Sequence, residues 1–244
     1  MSAAACDVPP DCTPASSAAA AGRLPPMAPH LVWDWNGTLF DDQHLVMRAL
    51  NAVMTDAGLP HLDAATYQRL YTRPVQVFYE RLLGRPIPPE EWDHLDAVYH
   101  AGYRAGLAHA QLAVDADVAL DRVEAAGASQ SLLSMWRHEE LLPLVDTLGI
   151  GHRFARIDGL TGPGGGVKAP HLAAHLERVA AARGAPPSGV LVIGDALDDA
   201  AAAVRIGAAC VLYDGGSHPR EELEGAGVPV AGSLTEALDL AGWS

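Results

Sequence analysis

Apolar and polar positions change their period along the chain. Leu31-Val32-Trp33 is a short apolar run that ends in Asp34 and, after Trp35 and Asn36, a Gly-Thr turn. That pattern predicts a buried strand. From Leu45 the period becomes helical: Leu45, Val46, Ala49, Leu50 and Val53 share one face of a helix that stops at Gly58-Leu59-Pro60. Helices follow at 64–70, 75–83 and 90–107, with Asp63 as a cap for the first and Pro88-Pro89 ahead of the last. A helix at 116–126 returns the chain to a strand at 129–134. From there helices and strands alternate: helix 139–148, strand 154–158, helix 169–183, strand 190–193, helix 198–206, strand 209–213, helix 220–226, strand 228–230 and helix 234–240. Alternation of this kind predicts an α/β fold with a doubly wound parallel sheet. The expected organisation is a tail at 1–29, a core domain made of 30–44 and 113–244, and a helical domain at 45–112 inserted into it. The tail is rich in Ala, Pro and Ser, has no apolar period and is expected to be disordered, with Met27 a candidate native start.

Composition narrows the function. The formal net charge is −14, which argues against nucleic acid and anionic membrane surfaces as partners. No apolar stretch approaches the ~20 residues that cross a bilayer. Cys6, Cys12 and Cys210 show no paired spacing, so a reducing cytoplasm is the expected compartment and Cys210 a core residue. Lys168 is the only lysine among 16 strong bases. A chain that uses arginine everywhere else keeps a compact ammonium at this one place.

The candidate chemistry lies at strand ends. Asp34 ends the first strand, where open α/β sheets place their ligands. Val190–Ile193 is a second apolar strand that ends in Gly194-Asp195, with Asp198 and Asp199 one turn on. Two strand-end acids side by side repel each other, and a hard divalent cation with oxygen ligands removes that cost. Mg²⁺ is therefore the expected metal.

The stretch Asp34-Trp35-Asn36-Gly37-Thr38-Leu39 resembles motif I of the haloacid dehalogenase superfamily, with Asn36 where phosphatases of that family carry a second Asp. Leu132-Leu133-Ser134 resembles motif II, Lys168 before Ala169-Pro170 motif III, and Gly194-Asp195 with Asp199 motif IV. All four occur in the family's order. The resemblance implies that Asp34 is the nucleophile, and that Ser134 and Lys168 hold the phosphoryl group. It implies that Asp34, the Asn36 main-chain carbonyl, Asp195 and Asp199 form the metal site. Thr38 and Arg73 are further candidates for substrate contact. The helical insert then resembles the family's first type of cap, and the architecture that of phosphoglycolate phosphatases. The expected activity is Mg²⁺-dependent hydrolysis of a small phosphorylated metabolite through an aspartyl-phosphate. Asn36 cannot act as a general acid or base, so two alternatives stay open: a weakly active phospho-ligand binding protein, or different chemistry such as dehalogenation. His171 and His175 share a helix face but lack a third ligand, so no zinc site is expected. The Gly162–Gly166 loop lacks the ending of a nucleotide phosphate loop.

Overall fold

The computed structural model describes residues 30–72, 74–162, 166–187 and 189–243. The expected tail at 1–29, Arg73 and the middle of the Gly162–Gly166 loop lie outside these residues.

The first strand, β1 (His30–Trp33), is buried along its whole length. A two-residue strand, β2 (Phe40–Asp41), follows the Gly-Thr turn. Four helices come next: α1 (Gln43–Asp56), α2 (Ala64–Leu70), α3 (Val75–Leu83) and α4 (Pro89–Gly106). Asp63 caps α2 by accepting from the Thr66 amide at 2.7 Å, and Pro88 and Pro89 open α4. The chain returns through β3 (Gln111–Leu112), which pairs antiparallel with β2. Then follow α5 (Ala116–Ala125), β4 (Ser129–Arg137), α6 (His138–Thr147), β5 (Ile157–Leu160), α7 (Lys168–Arg183), β6 (Val190–Gly194) and α8 (Leu197–Ile206). The remaining elements are β7 (Ala209–Tyr213), α9 (Arg220–Glu224), β8 (Val230–Ala231) and α10 (Leu234–Leu240).

Six strands form one parallel sheet in the order β5-β4-β1-β6-β7-β8. The predicted doubly wound α/β fold is thus the observed one. Alternate residues of β1 go to opposite faces, as the two-residue period of a strand requires. Leu31 and Trp33 pack with Leu120, Leu141 and Leu238 of α5, α6 and α10. Val32 packs on the other face with Leu172 of α7 and Ala203 of α8, where Cys210 is a buried free thiol. The helical insertion has its own apolar cluster, which includes Leu50, Val53, Tyr67, Phe78 and Leu95. Helix α4 lies close along α1: a Cβ added at Gly102 would stand 3.1 Å from the Ala49 Cα.

Three expected boundaries move. Strand β4 runs past Ser134 to Arg137, because Arg137 pairs with Leu160 beyond a register shift and Trp136 stacks on Phe40. The strand expected at 154–158 begins at Ile157, since Gly151–Arg153 forms a turn of 3₁₀ helix that carries Phe154 into the sheet's edge. The last strand pairs only at Val230 and Ala231. The β2–β3 pair has no signal in the sequence pattern, being two residues on each side. Among the described residues no helix is long and apolar enough to cross a membrane.

Candidate active site

From β1 the chain goes to β4 and β5 on one side of the sheet, then returns through α7 to β6 on the other side of β1, so the strand order switches direction at β1. The carboxyl end of that strand is the crevice where α/β folds bind ligands. Trp33 and Ile193 are level in the paired strands, and the Asp34 amide donates to the Ile193 carbonyl at 2.8 Å. Asp34 and Asp195 therefore emerge from neighbouring strands almost side by side. Helix α7 brings Lys168 to them as its first residue, and the first turn of α8 brings Asp199.

The Lys168 ammonium is buried and donates to Asp34 Oδ1 and, at 2.5 Å, to Asp199 Oδ1. A cation at a helix N-terminus works against the helix dipole; here two buried carboxylates outweigh it. Burial works to lower the lysine pKa, but Asp199 and Asp34 raise it further, so the group stays charged. Asp34, Asp195 and Asp199 each offer an oxygen within 4.8 Å of the others. Three buried carboxylates thus face one ammonium. Burial lifts the Asp34 carboxyl to about 6, against the pull of Lys168. Burial and the charges of Asp34 and Asp199 push Asp195 up to about 8. The donors are all hard oxygens with a surplus of negative charge, which fits a hard divalent cation.

The backbone is shaped to this cluster. Gly37 has φ +74°, and a Cβ there would lie 2.6 Å from Asp195 Oδ2. Asp195 Oδ2 accepts from the Ser217 amide at 2.9 Å and its hydroxyl at 3.1 Å. Asp198 accepts from the Lys168 amide at 3.0 Å and so tethers the start of α7 to α8.

Asn36 points away from Asp34. Its amide Nδ2 donates to Asp42 Oδ2 at 2.9 Å and to the Tyr103 hydroxyl at 3.0 Å. Tyr103, on α4, donates to the same Asp42 oxygen at 2.7 Å, and the Gly37 amide donates to Asp42 Oδ1 at 2.9 Å. Burial raises the Asp42 pKa, and these three donors only partly offset it. The Ser134 hydroxyl lies 3.4 Å from Asn36 Oδ1 and accepts from the Trp136 amide at 3.0 Å. Thr38 Oγ1 is 3.4 Å from Asp34 Oδ2. The structure thus brings together Asp34, Asn36, Thr38, Ser134, Lys168, Asp195 and Asp199. Arg73 lies outside the described residues. Sequence reading missed Asp42, Tyr103 and Ser217. For Asp42 a signal existed, the Asp41-Asp42 pair, but which of the two turns inward depends on β2 pairing with β3.

A second buried polar cluster lies lower on the sheet. His175 is fully buried, with Nε2 2.7 Å from Ser131 Oγ and Nδ1 2.7 Å from Asp158 Oδ2. His30 Nε2 lies 2.8 Å from the same Ser131 oxygen. Arg156 donates to both Asp158 oxygens, at 2.6 and 2.8 Å. Both ring nitrogens of His175 are thus bonded within this cluster. The acidic triad is the only group of metal-ligating side chains among the described residues.

The HAD-hydrolase-like family model matches residues 169–237, which include Gly194-Asp195 and Asp199. A haloacid dehalogenase-like family hydrolase from Streptococcus pneumoniae superposes with a TM-score of 0.70 over 86% of this chain and 96% of its own, at 20% identity. The fold is that of the haloacid dehalogenase-like hydrolases. The resemblance read from the four motifs is borne out. A predicted phosphoglycolate phosphatase from Haemophilus somnus shares this haloacid dehalogenase-like fold (TM-score 0.69, 16% identity, 87% of this chain and 97% of that one). So does protein tyrosine kinase A of Mycobacterium tuberculosis (TM-score 0.71, 19% identity, 91% and 100%). No curated protein matches in sequence.

Proposed function

We propose that this chain is a phosphatase of a small phosphorylated metabolite. The observation that carries this reading is a single one: a buried carboxylate at a strand end, Asp34, held by the one lysine and flanked by Asp195. The Asp34 oxygen forms a bond to phosphorus while the ester P–O bond breaks, and the departing alkoxide takes a proton from water. A second water then bonds to phosphorus, the acyl-phosphate bond to Asp34 breaks, and the water's proton passes to solvent. Nucleophilic catalysis of this kind divides one hard displacement into two easier ones.

Lys168 keeps the Asp34 carboxylate oriented and neutralises part of the incoming phosphoryl charge. The hydroxyls of Ser134 and Thr38 supply hydrogen bonds to phosphoryl oxygens. Mg²⁺ fits the donor set of Asp34, Asp195, Asp199 and the Asn36 carbonyl, and when bound it would offset carboxylate repulsion and phosphoryl charge. The helical insertion, residues 45–112, serves as the cap over the site.

Asn36 sets the rate expectation. Its amide is tied to Asp42 and Tyr103 and cannot exchange a proton with the leaving group. General acid–base catalysis contributes about 10²–10⁴ in rate, so slow turnover of unactivated esters is expected. The same observation favours a second reading, a phospho-ligand binding protein without turnover. Phosphate release from a panel of phosphorylated metabolites, with Mg²⁺ and with chelator, tests both. Metal-dependent release supports the phosphatase; saturable binding with no release supports the binding protein.

A further inference from the structure

The cavity above Asp34 has a volume of about 600 Å³ and runs from Lys168 up into the helical insertion. A two-carbon alcohol would leave most of it empty, because volumes of this size suit whole ring-bearing ligands. Its walls are aromatic. Tyr67, Tyr71, Phe78, Tyr79, Trp92 and Tyr99 line it. Phe78 meets Tyr67 edge to face at 5.7 Å, and Tyr79 meets Trp92 the same way at 5.5 Å.

Charge on the described walls disfavours an anionic alcohol. Among the described residues that line the cavity, each basic side chain already has a carboxylate beside it. Lys168 holds Asp34 and Asp199. Arg104 donates to Glu140 at 2.9 Å, and His100 lies 3.5 Å from Asp96. A carboxylate on the substrate, added to its phosphoryl group, would meet acids and the negative faces of rings. The walls also carry polar handles. Tyr67, only 4% exposed, is one of the tyrosines that line the cavity. A phenol hydroxyl both donates and accepts, and a ligand in the cavity can reach it.

We propose that the substrate is the phosphate monoester of an uncharged aromatic alcohol. Its phosphoryl group lies at Asp34, its ring lies among the aromatic walls, and a polar ring substituent bonds the Tyr67 hydroxyl. This assignment rests on the phosphatase reading for the place of the phosphoryl group. A cationic alcohol is the lesser fit, since the rings direct their edges and faces at one another and Asp96 already faces His100.

Three alkyl phosphates with similar leaving groups separate these chemistries: phenethyl phosphate, phosphocholine and phosphoglycolate. Binding to the full chain in Mg²⁺ is read by tryptophan fluorescence, since Trp92 and Trp136 line the cavity; turnover is read separately as phosphate release. Each aromatic contact is worth about 2–10-fold in affinity, so phenethyl phosphate is expected to bind at least ~10-fold tighter than the other two. Tyr67→Phe is expected to abolish any preference for the para-hydroxylated analogue over phenethyl phosphate itself. Phosphoglycolate or phosphocholine binding as tightly as phenethyl phosphate overturns the assignment, as does failure of all three to bind. A para-hydroxyl preference that survives Tyr67→Phe overturns the role of that hydroxyl. Tight phenethyl phosphate binding without phosphate release supports the ring assignment and defeats the phosphatase reading instead.

Discussion

Ser131, His175 and Asp158 stand in the order and at the distances of a hydrolytic triad, yet they lie away from the cavity, and Ser131 and His175 have no exposed surface. Asp34, Lys168 and Asp199 are as tightly bonded, on the same sheet, and they form the floor of the cavity. Charge balance separates the two. Burial works to raise the Asp158 pKa, but the bonds from His175 and Arg156 hold it well below the usual carboxylate range. Arg178 adds a further cation at 3.2 Å. At the acidic site the balance is reversed, with three carboxylates against one ammonium, and both Asp34 and Asp195 are pushed up. A satisfied buried network stabilises a fold; one with surplus charge is prepared for a ligand of the opposite sign.

Exchanging the two clusters' roles by mutation would break this comparison. Asp34→Asn is expected to abolish phosphate release, a loss of at least ~10⁴-fold, whereas Ser131→Ala is expected to keep kcat/KM near wild type. Loss of activity in Ser131→Ala with retention in Asp34→Asn would make the buried chain the active one. Next in size is a stability effect. His175→Ala leaves Asp158 without one of its partners in a sealed site and is expected to cost on the order of 3 kcal/mol, read by urea denaturation. Unchanged stability would mean that the network is not holding the fold.

Asn36→Asp comes third. It restores an acid near the leaving group and is expected to raise alkyl phosphate turnover at least ~10-fold. The structure sharpens this expectation, because the new carboxylate would face Asp42 at the place of a 2.9 Å hydrogen bond. The paired change Asn36→Asp with Asp42→Asn keeps that bond and is expected to exceed the single change. Equal or lower rates in both variants would mean that the native reaction needs no acid at position 36.

The smallest effect concerns pH. Asp34 and Asp195 hold protons in the fold up to about 6 and about 8, which the unfolded chain releases near 3.8. Their contribution to stability is therefore greatest below that ordinary value and is lost as pH rises toward 8. The second cluster has the opposite sign. Burial first, then the charges of His175 and Arg183, lower His30 to about 4 from 6.5, so its stability is present above 6.5 and lost as pH falls. Asp158 loses its share at still lower pH. Mg²⁺ is accordingly expected to raise the Tm by a few degrees more at about pH 8 than at about pH 5. A Mg²⁺ shift independent of pH, measured by calorimetry, would remove the surplus-charge account.

The strands, most helices and the strand-end acids were legible because each depends on local period. Leu31–Trp33 and Val190–Gly194 announce themselves as apolar runs that stop at an acid. What was not legible depends on contacts between distant segments. Tyr103 lies 67 positions from Asn36, and only the packing of α4 along α1 brings its hydroxyl there. Ser217 reaches Asp195 through a loop after β7 with no pattern of its own. The partners of His175 were not legible either, because helical spacing shows who shares a face, not what that face meets.

The solitary lysine has a practical consequence. Amine-directed acylation has only two kinds of target in this chain, the α-amino group and Lys168. The second is 3% exposed and held as an ammonium by two acids. Acylation at Lys168 requires the site to open and the ion pairs to part. Its rate relative to the α-amino group, followed by mass spectrometry, is then a clock for breathing of the cavity floor, with no label or engineered residue needed to read it.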